Sequence, residues 1–345
     1  MTGQLVLVTG GTGHLGFRTL VEALSRGYTV RAAVRNEAGI EKIKAAKSIQ
    51  PYLAHLTFVI VPDIEKEDAY SEAVKGVDFI IHLASPIPFT KEPPTEAQFD
   101  SHIIQPAVKG TLHMLRAAKS YSPTTRRIVI TTSVAGQAPF PEFFSSQPTL
   151  YDEKSRIATP TGPFDAIFPA YMASKAAALN ATEEWVKTEK PHFDVNHIAP
   201  SFVIGKNELA TTPEDAVMGT NGSALGHVLG MNPGPTPSLS VHVNDIAKMH
   251  VLALSPKIPG DQLFIGLSEN ANTQWEDSFD IVRKYFPEAV KDGTFPLTGE
   301  NPTKKMNFDN SWTKKALGME FEGYEEQVRS VAEHYLELKR AGLPN

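Results

Sequence analysis

The stretch Val8-Thr-Gly-Gly-Thr-Gly-His-Leu-Gly16 decides how this chain is read. It follows an apolar run, "LVLVTG", and opens a pattern of helical period, "GHLGFRTLVEALSRG", that stops at Gly27. Glycines let the main chain turn sharply and approach a ligand closely. The spacing of Gly10, Gly13 and Gly16 between a strand and a helix suits a pyrophosphate held by backbone N–H groups at the positive end of a helix. The residues around those glycines, Thr9, His14 and Leu15, belong to the same expected cofactor loop. An ordinary Gly-rich turn is the plain alternative, and the strand-to-helix placement favours the dinucleotide.

Working outward, "YTVRAAVR" reads as a second strand, "AGIEKIKAAKSI" as a helix and "LTFVIV" as a third strand. A helix over "EKEDAYSEAVKG" and a strand at "VDFIIHLA" follow. Strands separated by helices need crossover connections, so the sheet is expected to be parallel and covered on both faces. This is the doubly wound α/β, Rossmann-type architecture, whose ligands lie beyond the carboxyl ends of the strands. Further along come a helix from Glu96 to Ala118 kinked or interrupted at Pro106, a strand at "RRIVITTS", a helix over Tyr171 to Thr188 and a strand at "FDVNHIAP". A short helix after Asn244, a strand at "QLFIG" and two C-terminal helices close the pattern. Proline-rich stretches between Pro139 and Pro169, and from Gly205 to Pro237, cannot be single regular elements. The expected division is a dinucleotide domain over 1–200, rejoined by 240–268, with 201–239 and 269–345 forming a smaller substrate lobe.

Composition narrows the classes. A chain of 345 residues, 41% apolar, can bury a large core. Its net charge of −6 and lack of a dense Lys/Arg run give no footprint for nucleic acid. With no cysteine there is no disulfide, thiolate metal site or cysteine nucleophile. No membrane span or charged leader is visible, so a cytoplasmic protein without a membrane partner is expected. His192 and His197 lack metal-ligand spacing and read as packing or solvation. The sequons at Asn180 and Asn221 carry little weight without a secretory signal.

At the end of the second strand, where a carboxylate would accept from a ribose 2′-OH, stand Arg35 and Asn36. A guanidinium pairs bidentately with a 2′-phosphate, so NADPH is expected over NADH, although Glu37 is close and Arg35 also suits a solvated strand end. Asp63, after the third strand, is placed to meet an adenine amino group or to be a solvated loop carboxylate. In "YMASK", Tyr171 and Lys175 share a helix face. A cation beside a phenol favours the phenolate, which turns the pair into acid–base machinery. Ser133, at the carboxyl end of the strand before it, puts a hydroxyl where a carbonyl oxygen can be bonded while Tyr171 supplies its proton. Ile87, Phe89, Phe140, Phe143, Phe144 and Phe168 either line an apolar substrate pocket or pin loops to the core.

Together "TGGTGHLG", "TTS" and "YMASK" resemble the extended short-chain dehydrogenases/reductases over essentially the whole chain. "GYTVRAAVR", "HLASP", "PAVKGTLHML", "YDEKS" and "VHVNDIAKMHVLAL" resemble the branch holding dihydroflavonol reductase, cinnamoyl-CoA reductase and the yeast and fungal carbonyl and methylglyoxal reductases. "EKPHFDVNHIAPSFVIG" is similar to the fungal ketone and aldehyde reductases. The resemblance implies a Ser133, Tyr171, Lys175 triad, with Lys175 also bonding the nicotinamide ribose. It implies Arg35 at the 2′-phosphate, Asp63 and Ile64 flanking the adenine, Leu83, Ala84 and Ser85 along the ribose, and Pro200 and Val203 near the nicotinamide. Ala107 departs from the pattern, since extended members often carry Asn there. The expected activity is NADPH-dependent reduction of a small carbonyl compound. A nucleotide-sugar epimerase or dehydratase that retains NAD, and a non-catalytic NADPH sensor, are the alternatives. Oligomeric state is not legible.

Overall fold

The computed structural model describes residues 3–86, 92–143, 149–268 and 271–342. Seven strands form one sheet: β1 (Leu5–Thr9), β2 (Thr29–Val34), β3 (Leu56–Ile60), β4 (Phe79–His82), β5 (Arg127–Thr131), β6 (Asp194–Pro200) and β7 (Leu263–Gly266). Their spatial order is β7-β6-β5-β4-β1-β2-β3. Parallel register runs from β3 through β2, β1, β4 and β5 to β6. The β7 edge is parallel too, because His197 N donates to Gln262 O and Ser201 N to Gly266 O, advancing in the same sense along both strands. After β3 the chain returns to the other side of β1, so the order reverses between β1 and β4. Ligands of doubly wound sheets bind at such a switch point.

The main helices are α1 (His14–Ser25), α2 (Glu37–Ala45), α3 (Gln105–Tyr121), α4 (Ile167–Glu189), α5 (Val243–Leu252), α6 (Ser278–Tyr285) and α7 (Tyr324–Ala341). Among the described residues no helix is long and apolar enough to cross a membrane. The chain divides into two units by its own contacts, one of 1–140, 154–199 and 247–264, the other of 141–153, 200–246 and 265–345. In the first, Leu7, Ile80, Ile128 and Val195 from four neighbouring strands share a buried cluster with Met114, Leu115 and Trp185. Full burial of an aliphatic side chain contributes about 2 kcal/mol, so this shared face is what fixes the strand register. In the second, Trp275, Phe295, Tyr324, Val328 and Val331 form a separate core. The Trp275 indole N–H donates to Pro237 O at 2.8 Å.

One segment departs from the sequence pattern. The segment "EKEDAYSEAVKG" is a run of turns rather than a helix. Its bonds are mostly i→i−3, as in Ala69 N to Lys66 O and Ser71 N to Asp68 O. Tyr70, Ala73, Val74 and Val77 still reach the core, so burial is satisfied without a regular helix. The expected helix over Glu96–Ala118 is interrupted just before Pro106: a π turn covers Asp100–Ile104, α3 begins only at Gln105, and Pro106 sits in its first turn. A proline costs little there because its missing N–H has no partner within the helix.

Candidate active site

The site begins at the loop between β1 and α1. Gly10 has φ +76°, and a Cβ there would stand 2.9 Å from Ala84 N and 3.0 Å from Leu83 C. At Gly16 a Cβ would come within 2.0 Å of Gly10 O. Both glycines are demanded by the fold itself. Gly13 is different: a Cβ would meet nothing nearer than Gly10 O at 3.5 Å, and the residue is exposed. Gly13 is also the N-cap of α1, with no side-chain cap and no acidic residue in the first turn. His14 and Leu15, half-buried, open the helix. The N-terminus of α1 thus has neither a side-chain cap nor an acidic residue in its first turn, which fits a pyrophosphate and the backbone approach it requires.

Thr9 ties this loop to the end of β4. It pairs in register with His82, and its Oγ1 lies 3.0 Å from His82 Nδ1. The same oxygen accepts from Leu83 N at 3.1 Å and Ala84 N at 3.0 Å. With both acceptor positions used, the hydroxyl donates to His82, so Nδ1 is the acceptor and the ring proton sits on Nε2. Burial, and then the Lys175 charge, lower the His82 pKa to about 4. The ring is neutral at physiological pH.

Arg35 is exposed directly beyond β2 and has no hydrogen bond or ion pair among the described residues. Neighbouring Asn36 is committed elsewhere, its side chain capping α2 by accepting from Gly39 N at 3.1 Å. Asp63 is exposed, with one oxygen accepting from Glu65 N at 2.9 Å. Ile64 packs towards α3, where a Cβ on Gly110 would be 3.0 Å from its Cδ1. Ser85 accepts from Lys175 Nζ at 3.0 Å. Pro200 and Val203 belong to the second unit, Pro200 ending β6 and Val203 pairing with Val241. Ile87, Phe89 and Phe144 lie outside the described residues.

Ser133 follows β5 and caps a short turn by accepting from Ala135 N at 3.2 Å. Its side chain also hydrogen-bonds Tyr171. Tyr171 and Lys175 stand one turn apart on α4, with Lys175 Nζ 5.3 Å from the centre of the Tyr171 ring. What brings the turn to the helix is Gly136, which the sequence reading did not single out. A Cβ on it would be 2.9 Å from Lys175 C and 3.0 Å from Ala176 N, so only glycine permits this packing. Burial raises the Tyr171 pKa above its usual 10, opposed by the Ser133 bond. Burial thus keeps the phenol protonated, the form in which it can supply a proton to a carbonyl oxygen. Burial also lowers the Lys175 pKa to about 8. The Phe168 ring lies 6.2 Å from that of Tyr171 and 6.3 Å from that of Phe140.

The uncapped N-terminus of α1 at a switch point is joined through Thr9 and His82 to a strand end that meets a Ser–Tyr–Lys cluster, an arrangement suited to a dinucleotide and a reacting carbonyl. Comparison with known proteins gives the family. Residues 6–266 match the NAD dependent epimerase/dehydratase family. A ketoreductase of Cercospora nicotianae is 39% identical over 98% of this chain and 96% of its own. A solved reductase engineered to attenuate substrate inhibition in asymmetric catalysis is 26% identical with a TM-score of 0.81, over 97% of this chain and 100% of that one. The yeast methylglyoxal/isovaleraldehyde reductase complexed with NADPH shares the fold, at 22% identity and a TM-score of 0.81, over 98% of this chain and 99% of that one. The chain belongs to the NAD dependent epimerase/dehydratase family, that is, to the extended short-chain dehydrogenases/reductases, and is an NAD(P)-dependent oxidoreductase.

Proposed function

We propose that this oxidoreductase is a carbonyl reductase that uses NADPH in preference to NADH and converts a ketone or aldehyde into an alcohol. The observation that carries the reading is the hydrogen bond between Ser133 and Tyr171 with Lys175 one helical turn away. The named ketoreductase relative supports reduction over epimerisation. Gly10, Gly13 and Gly16 with the N-terminus of α1 receive the pyrophosphate, Arg35 the 2′-phosphate, and Asp63 and Ile64 the adenine side. When bound, NADPH supplies the hydride that reaches the carbonyl carbon.

Ser133 holds the carbonyl oxygen. Tyr171, protonated at neutral pH because burial raises its pKa, donates its phenolic proton to the oxygen as negative charge develops there. Lys175, whose pKa stays near 8, remains largely charged at neutral pH and stabilises the phenolate left behind. Phe140 and Phe168 offer an apolar wall next to Tyr171, which suits a carbonyl compound with an apolar substituent. The test is loss of NADPH absorbance, and separately of NADH absorbance, with a panel of aryl ketones, keto esters and aldehydes. Oxidation of NADPH at a clearly higher kcat/KM than NADH is expected. No oxidation of either by a protein that binds cofactor would overturn the reading.

A further inference from the structure

Tyr171 stands close to the start of α4, and that start is weakly made. Helix α4 begins at Ile167, so the tyrosine is among its first five residues. The N–H groups of a first helical turn have no partner within the helix, and a capping side chain normally takes one of them. The N-cap here is Ala166, which supplies no side-chain cap, and no acidic residue lies in the first turn. Alanine is among the poorest residues at that position. Lys175, one turn on, is better placed, because the turn at Gly136 packs directly against its backbone. The turn that carries Tyr171 needs support from outside the helix.

That support comes from the chain just before α3. The segment bonds to itself: Thr95 N donates to Gln98 Oε1 at 3.0 Å and Ser101 Oγ to Gln98 O at 3.3 Å. Gln105 Nε2 reaches Asp100 Oδ1 at 3.4 Å across the π turn. Such turns are rare and recur at functional sites. This one leaves Ser101 and His102 exposed and buries Phe99 and Ile103. Ile103 is fully buried, and with Phe99 and Ala170 it forms an apolar cluster against which Phe164 and Ile167 pack. Phe164 precedes the N-cap of α4, whereas Ile167 and Ala170 follow it, so the cluster grips the helix start from both sides. A hydrophobic staple fixes the entry of a chain into a helix in the same manner. Ala170 immediately precedes Tyr171.

We propose that Phe99 and Ile103 are positioning residues for the reaction, clamping the uncapped first turn of α4 and thereby placing the Tyr171 phenol. They act through the helix and not on the reacting atoms. Phe168 lies in the same turn, its ring 6.2 Å from that of Tyr171, so one clamp sets both the proton donor and the apolar wall beside it. A displacement of about 1 Å at such a group lowers a rate by about 10²-fold. The role in turnover rests on the carbonyl reductase reading, whereas the clamp does not.

The test is Ile103→Ala, followed by amide hydrogen exchange and by kinetics. Amides of 170–174 should exchange about tenfold faster or more, with those of 179–189 unchanged. The kcat for NADPH-dependent reduction should fall about 10- to 100-fold, with NADPH affinity within about twofold of the parent. Ile103→Val should keep most of the rate. Ala166→Ser supplies the missing cap, since Ala166 is exposed with φ −150° and ψ 159°, the extended geometry of a capping residue. Added to Ile103→Ala, it should slow exchange of the first turn again and recover kcat about threefold or more. Exchange that is unmoved, or raised equally along all of α4, overturns the clamp. Local loosening with an unchanged kcat overturns the positioning role. If Ile103→Ala does not fold, Ala166→Ser in the parent chain decides: it should slow exchange of 170–174 about threefold or more, and no slowing overturns the clamp. Full activity of Tyr171→Phe would overturn the reductase mechanism instead, leaving hydrogen exchange to decide the clamp.

Discussion

Lys175 Nζ donates to Ser85 Oγ at 3.0 Å, joining residues ninety positions apart in the chain. The contact binds the acid–base helix to the segment that leaves β4. It makes the position of Lys175 depend on the same strand end that Thr9 organises beside the glycine loop.

From the Ser133–Tyr171 bond, Tyr171→Phe is expected to lower kcat at least 10²-fold, the usual scale for a lost general acid, with NADPH affinity near that of the parent. Steady-state rates beside a fluorescence titration of NADPH check this. Unimpaired turnover would remove Tyr171 from the mechanism.

Gly13 and Gly16 are expected to respond differently to one methyl group. Gly16→Ala puts a Cβ 2.0 Å from Gly10 O, so it lowers thermal stability or prevents folding. Gly13→Ala has room within the protein and should keep the melting temperature within a few degrees while weakening NADPH binding about tenfold or more. Equal destabilisation by both would show that Gly13 serves the fold alone.

Because Arg35 is exposed and unpaired among the described residues, Arg35→Ala should cost little stability. Its kcat/KM for NADPH should fall about tenfold or more, with the NADH value nearly unchanged. A parallel fall with both cofactors would place the 2′-phosphate elsewhere.

Reduction should weaken as pH rises through about 8, where Lys175 loses the charge that stabilises the Tyr171 phenolate. The sign is set by the lowered pKa: the ammonium is present below it and absent above it. A rate that stays flat to pH 10 under saturating substrate would contradict this.

Acid should unfold the first unit through His82 and His197. Both have folded pKa values lowered from 6.5 to about 4, chiefly by burial. Between those values the unfolded chain takes up protons that the folded chain does not, so stability is complete above pH 6.5 and is lost as pH falls towards 4. The scale is roughly 3 kcal/mol per histidine. Denaturant midpoints between pH 7 and 4 check it, and the fall should be smaller in a His197→Gln variant that still folds.

What the sequence disclosed and what it withheld follow from the range of the interactions. The β1–α1 loop was legible because its glycines answer to local geometry, and Tyr171 and Lys175 because helical spacing alone puts them on one face. The segment "EKEDAYSEAVKG" misled because its apolar residues have helical spacing, yet Tyr70, Ala73, Val74 and Val77 are buried by successive turns. Gly136 was missed because its constraint comes from the backbone of α4, nearly forty residues on. His197 was read as packing or solvation, but that it shares a sheet face with His82 was hidden, since only the register of β4, β5 and β6 makes them neighbours.

The strand order also governs how this chain is exposed while it is being made. Six of the seven residues of β6 are buried, and β7, which covers its outer edge, ends at Gly266. During synthesis β6 emerges more than sixty residues before β7 does. A nascent or truncated chain that stops between them presents an apolar strand with an open row of backbone donors and acceptors, the template on which other chains pair. The last strand of the sheet is thus a seal against aggregation, and fragments ending before Leu263 should be recovered as insoluble material.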